Sequence, residues 1–170
     1  ITASGFTFIR YKVEVTEEMK EFCWNFSTRI ILDGNQFNRL NPDWTNNKEL
    51  QNLIKIQRTY VGKIGELCFL ILLASKNIKT EYADMFEIFE GEENTDSYDF
   101  TTRYGQTIDI KTAFRPSHRN LVVNLKQLNR IPKDFYVGVK LDATDLDDDN
   151  KIIDDTSITK ATIYGYSEYD

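Results

Sequence analysis

Residues 48–75 constrain the fold more than any other stretch. Leu50, Leu53, Ile54, Val61, Ile64, Cys68, Ile71 and Leu72 recur at helical spacing, forming the apolar stripe of a long helix laid on a core. Gly62, Glu66, Phe69 and Leu73 form a second face, so from Leu67 onward the helix is apolar all round and needs cover on both sides. Gly62 and Gly65 each cost about 1 kcal/mol relative to alanine inside a helix, which points to close approach by a sheet or a ligand. Glu66 stands at the entrance to the apolar section, where an ionised carboxylate is costly without a cation, a metal or hydrogen-bond donors. Its structural alternative is a salt bridge to Arg58 or Lys63 at the helix surface.

The rest of the chain supplies strands and a second helix. Residues 6–15 alternate as a strand, and Thr16 with Glu17 and Glu18 marks the start of a helix running to about Ile31. An Asn-rich loop over 33–47 leads into the long helix. Beyond it come a strand at 85–89, an acidic loop and a hairpin over 98–112. A basic loop at 113–120 and a stretch of strand or helix at 121–128 follow. Strand 135–141, an Asp-rich loop at 142–155 and a last strand at 158–166 complete the chain. The 170 residues suit one domain, 1–170, with its core at 48–141 and a closing strand at 158–166. The expected class is α/β (α+β), a central mixed sheet flanked by helices.

A net charge of −6 excludes a generally basic nucleic-acid binder, so any such contact must be local. Acids gather in one group from Asp84 to Asp96 and another from Asp142 to Asp155. Between them Arg115, His118, Arg119, Lys126, Arg130, Lys133 and Lys140 have only Asp134 among them. The Asp-rich stretch lacks the ligand spacing of an EF-hand and reads as a solvated loop. Cys23 and Cys68 lie singly within apolar helical patterns, as buried free thiols of a reducing cytoplasm do. The longest apolar run is too short to span a bilayer, and no membrane association is expected. The chain opens at Ile1, which suggests a piece excised from a longer protein.

The hairpin carries the chemistry. In a strand, residues two apart share a face, so Asp109 and Lys111 project together while Ile108 and Ile110 enter the core. A three-residue loop of Tyr104, Gly105 and Gln106 would pair Asp99 with Lys111 and Thr101 with Asp109, gathering all three groups on one face. Two carboxylates in a half-buried site call for a counter-charge, and hard oxygen donors suit Mg²⁺ or Mn²⁺. The structural alternative is a cross-strand ion pair worth about 0–1 kcal/mol.

A helix bearing Gly62-Lys63-Ile64-Gly65-Glu66, then Asp99, then Asp109-Ile110-Lys111 and a further strand, resembles the PD-(D/E)XK nuclease superfamily, the fold of many restriction endonucleases. The likeness covers roughly 58–141. Tyr98 stands where the family often has proline, and Asp109 where it more often has glutamate. The resemblance implies a restriction endonuclease-like core of αβββαβ topology. Asp99 and Asp109 would hold Mg²⁺ (or Mn²⁺), with the Ile110 carbonyl as a further ligand. Lys111 would orient or help deprotonate the attacking water and stabilise charge on phosphate. Glu66 would bind a second metal or orient Lys111 through a water.

Arg115, Ser117, His118 and Arg119 follow the active strand directly and would contact the nucleic-acid backbone, which sets position rather than sequence. The expected activity is metal-dependent endonucleolytic hydrolysis of DNA, double-stranded, by a restriction-type or phage or mobile-element enzyme. Such a domain would work as a homodimer or as part of a larger protein. The alternative is a non-catalytic acidic interaction module, a decayed nuclease fold or a DNA mimic, supported by the net charge and the two acidic groups. Action on RNA would use the same metal chemistry.

Overall fold

Side-chain caps set where both long helices begin in the computed structural model, which describes residues 9–33, 41–80, 83–87, 98–120, 122–123, 125–147 and 151–169. Strand β1 (Tyr11–Glu14) leads to Thr16, whose hydroxyl accepts from the Met19 N–H and starts helix α1 (Glu17–Leu32). The Asn47 side chain accepts from the Glu49 and Leu50 N–H groups and starts α2 (Lys48–Ser75), the bounds expected from the sequence. Each cap satisfies N–H groups that have no partner inside the helix. Among the described residues no helix is long and apolar enough to cross a membrane.

After α2 come a 3₁₀ turn (Ala83–Phe86), β2 (Phe100–Thr101), β3 (Thr107–Ala113), α3 (Leu125–Arg130) and β4 (Phe135–Leu141). A small hairpin of β5 (Thr144–Asp147) and β6 (Ile152–Asp154) precedes β7 (Lys160–Glu168). The five-stranded sheet has the order β1-β7-β4-β3-β2, with β3 and β4 parallel and the other pairs antiparallel. The class is thus mixed α and β, as expected.

One sheet face carries Val13, Ile110, Val137, Val139, Leu141, Ala161 and Ile163, which form one core with Tyr60, Ile64, Cys68 and Phe69 of α2 and Cys23 of α1. Both cysteines are free and buried. Trp24 meets Tyr60 edge-on at 5.3 Å and joins the two helices. The approach inferred from the glycines holds at one of them. A Cβ on Gly65 would stand 1.8 Å from Thr112 Oγ1, whereas one on Gly62 would meet nothing within 4 Å.

Several sequence expectations need correction. Residues 85 and 86 belong to a 3₁₀ turn rather than a strand, so the αβββαβ order has one strand fewer among the described residues. The rest of that expected strand, 88–89, and the acidic loop at 90–96 lie outside the described residues, as do 6–8 and 34–40 of the expected first strand and Asn-rich loop. The far end of α2 is less enclosed than its composition suggests, with Ile71 at 38% exposure.

The Asp-rich region is organised rather than a bare solvated loop. Asp142 accepts from the backbone of Thr159 and Lys160, Asp154 caps the 3₁₀ turn Asp155–Ser157, and Asp155 accepts from the buried Tyr60 hydroxyl. Short polar strands escape an apolar-alternation test because carboxylate-to-backbone bonds stabilise them instead.

Candidate active site

The hairpin register decides which groups meet. Its loop is Arg103, Tyr104 and Gly105, one residue earlier than expected, with Phe100 opposite Ile108 and Thr101 opposite Thr107. The Thr102 N–H donates to Gln106 O at 2.8 Å and the Gly105 N–H to Thr102 O at 2.9 Å. Gly105 has φ +78°, the left-handed conformation that a glycine takes without cost. Thr101 therefore lies opposite Thr107 rather than Asp109, and the ladder ends at Phe100, before Asp99.

Asp99 is then bent over β3. Its N–H donates to Ile108 O at 3.0 Å, and its Oδ2 accepts from the Ile110 N–H at 2.6 Å. In a strand the N–H and C=O of one residue point to the same side, so the Ile110 carbonyl also faces the Asp99 side. Asp109 is buried on the sheet face away from α2 and makes an ion pair with Lys111, two residues further along that face. Across β4, Lys111 has Gly138 as its register partner.

Glu66 reaches this group from α2. Its Oε2 lies 2.7 Å from Lys63 Nζ, the salt bridge weighed from the sequence, but half-buried rather than on the surface. Lys63 also donates to Met85 O at 2.9 Å and sits 5.4 and 5.6 Å from the ring centroids of Phe26 and Phe86. It ties the 3₁₀ turn to Glu66.

The electrostatics record the crowding. Removal from water and then the Glu66 charge push the Asp99 carboxyl up to about 8, with Asp109 adding to the effect. The Ile110 N–H and Lys63 offset part of it. A carboxylate raised by like charges is relieved by a bound cation. Among the described residues no three His, Cys, Asp or Glu groups are gathered as a ready-made metal set. Mg²⁺ is commonly held by one or two carboxylates with waters and substrate phosphate rather than by an all-protein cage. Asp99, Asp109 and the Ile110 carbonyl fit that donor requirement, whereas Glu66 is turned to Lys63.

The basic loop is pinned beyond the end of β3. Lys140 Nζ donates to the carbonyls of Arg115 and His118, the latter at 3.2 Å, and the His118 N–H donates to Arg115 O at 3.0 Å. Arg115 stacks on Phe114 and pairs through Nε with Asp145 at 3.5 Å. Ser117, His118 and Arg119 are exposed. Partial burial and the nearby Arg115 and Lys140 charges lower the His118 pKa, which favours a neutral ring.

Glu66, Asp99, Asp109 and Lys111 therefore share one neighbourhood, and the loop lies further along the same strand. Sequence reasoning weighed Lys63 as a surface partner of Glu66 and did not place it at the site. The signal was its position one helical turn before Glu66; what the spacing did not show is that Lys63 also reaches the Met85 carbonyl. No family model matches this chain, and neither a curated protein nor a solved structure matches it.

Proposed function

We propose that this chain is a Mg²⁺- or Mn²⁺-dependent endonuclease that hydrolyses DNA phosphodiester bonds from a restriction endonuclease-like core. The observation that carries this reading is that the Asp99 carboxyl, held on the Ile110 N–H of β3, lies within reach of the Glu66 and Asp109 charges while Asp109 pairs with Lys111. The run of α2, hairpin, β3, α3 and a parallel β4 supports it, because that order puts an Asp-x-Lys strand beside the central strand of a mixed sheet and under α2.

Asp99 and Asp109, with the Ile110 carbonyl, would hold the ion. When bound it would supply charge neutralisation at the scissile phosphate and a lowered pKa for water. Lys111 offers a cation on the same face as Asp109 and stabilises negative charge as it builds on phosphate oxygens. Lys63 holds Glu66 in place, so Glu66 contributes negative potential at the site without being free to swing.

The acidic-mimic alternative needs acids displayed to a partner. In the second acidic group Asp142, Asp145, Asp154 and Asp155 instead bind this chain's own backbone and side chains. That weighs for the nuclease.

The test is nicking and linearisation of supercoiled plasmid by purified protein in Mg²⁺ and in Mn²⁺, beside an EDTA control and the Lys111→Ala variant. Metal-dependent cutting that the variant loses is the expected result. Equal cutting by Lys111→Ala would remove these residues from the reaction. No cutting by wild type, together with no calorimetric metal binding, would favour the non-catalytic module.

A further inference from the structure

Strand β1 ends one side of the five-stranded sheet. It pairs with β7 alone, in unbroken register from Tyr11 opposite Ile163 to Glu14 opposite Lys160. In an antiparallel ladder, residues that exchange both backbone bonds alternate with residues that exchange none. One step past Glu14, the Val15 N–H donates to Thr159 O at 3.0 Å, so Tyr11, Val13 and Val15 turn their backbone groups to β7. Lys12 and Glu14 turn theirs to the edge, where no backbone group among the described residues bonds them.

The side chains follow the same alternation. Val13 and Val15 are buried in the core, whereas Arg10, Lys12 and Glu14 are exposed. Neither Lys12 nor Glu14 makes an ion pair among the described residues. Edges that stay solitary commonly carry a proline, a bulge or a charge turned inward. The four residues of β1 show none of the three.

We infer that β1 pairs antiparallel with β1 of a second copy of this chain, about a two-fold axis through Val13, joining the two sheets edge to edge. Hydrogen-bond phase and charge choose the register together. A two-fold pairing must set edge-facing residues against edge-facing residues, which leaves axes through Tyr11, Lys12, Val13 or Glu14. An axis through Tyr11 sets Lys12 against the partner's Arg10. One through Lys12 or Glu14 sets that residue against its own copy. The axis through Val13 opposes no like charges: Lys12 meets the partner's Glu14 and Glu14 the partner's Lys12, and each pair can exchange both backbone bonds.

On the core face the same axis sets Val13 against its copy and Tyr11 against the partner's Val15. That seam continues the apolar hollow at this end of the sheet, where Ile9, at 65% exposure, and Tyr11 stand beside Phe69, Leu72 and Tyr166. The occupant is a second copy because the charge order of β1 is complementary to itself, a condition that a foreign strand does not impose. The sequence left a homodimer and a larger protein equally open, and this edge favours the homodimer. The pairing does not rest on the nuclease reading, since no residue of β1 belongs to the candidate active site.

Sedimentation velocity of the full chain from about 5 µM to about 500 µM covers the affinities expected of a small interface. Wild type should pass from monomer to dimer over that range. Lys12→Glu and Glu14→Lys each turn both attractive pairs into repulsive ones, and each should weaken dimerisation at least about tenfold. The two variants mixed should associate as a heterodimer, because every opposed pair is then again of unlike sign. A chain carrying both substitutions should dimerise by itself about as well as wild type, with circular dichroism melts as the control for folding. Wild type that stays monomeric throughout would overturn the inference and leave the edge to a foreign strand. A dimer that both single substitutions leave intact would place the contact elsewhere on the chain and overturn it equally, as would a mixture of the two variants that stays monomeric.

Discussion

The Thr112 side-chain oxygen occupies the place where a Cβ on Gly65 would stand, 1.8 Å from the built position, and Thr112 Cβ is only 2.9 Å away. This contact seats α2 on β3 one residue past Lys111, at the turn that carries Glu66. Gly65→Ala should therefore destabilise the protein by about 1–3 kcal/mol, because the helix must lift from the strand. Gly62, one turn earlier, has open space, so Gly62→Ala should stabilise by about 0.5–1 kcal/mol through helix propensity. Urea denaturation of the two variants checks this. Equal signs would show that the helix does not rest on Thr112.

The Lys63–Glu66 pair predicts a non-additive cycle. Both side chains are mostly withdrawn from water, and Lys63 also serves Met85 O. Lys63→Met should cost about 2 kcal/mol, less than the removal of a partner from a fully buried pair, because each group keeps some exposure. Glu66→Leu in the same background should recover a large part of that loss, since no unpaired charge remains. Strictly additive denaturation midpoints would show that the pair contributes nothing beyond its two members.

Stability should respond to pH in opposite senses at two aspartates. Asp99 titrates in the folded state at about 8 rather than 3.8, from burial and then the Glu66 charge. A folded pKa above the unfolded one means stabilisation fully present below about pH 4 and lost as pH rises through about 8. Asp142 moves the other way. Burial raises it, but the Lys160 and Thr159 N–H groups outweigh that and lower its pKa. Its stabilisation is present above the ordinary carboxylate range and is lost as the protein is acidified. Denaturation midpoints followed from about pH 3 to about pH 9 should form a dome, whose alkaline limb flattens in Asp99→Asn and whose acid limb flattens in Asp142→Asn. A limb unchanged by its substitution would remove that residue as its cause.

The parts legible in the sequence were those with a strong period or a cap. Asn47 and the apolar repeat gave α2 its bounds, and the run of Tyr136, Val137 and Val139 gave β4. The hairpin register was not legible for a definite reason. Side chains alternate with period two, so moving the pairing sum by two residues leaves every residue on its own face while changing its partner. Thr101 thus meets Thr107 instead of Asp109, with Ile108 and Ile110 still inward. Burial of the Glu66 ion pair was equally hidden, because it depends on Phe26 and Phe86 closing over Lys63 from other segments.

Metal binding should be measurable without any cleavage. If Asp99 and Asp109 share one divalent ion, occupancy relieves the repulsion that raises Asp99, so added Mg²⁺ must stabilise the fold. At a concentration about 100 times the dissociation constant the gain is about 2.7 kcal/mol. For a chain of this length that corresponds to a rise in Tm of roughly 5–10 °C. The increment should grow as pH approaches 8, because the ion then no longer displaces a proton from Asp99. Asp99→Asn and Asp109→Asn should each abolish it. Glu66→Gln should keep most of it, since Lys63 already holds the Glu66 carboxylate. Scanning calorimetry with Mg²⁺, and with Ca²⁺ as a second hard cation, reads this directly. An increment that survives both aspartate substitutions would move the ion elsewhere on the protein and leave Asp99 with a purely structural role on the Ile110 N–H.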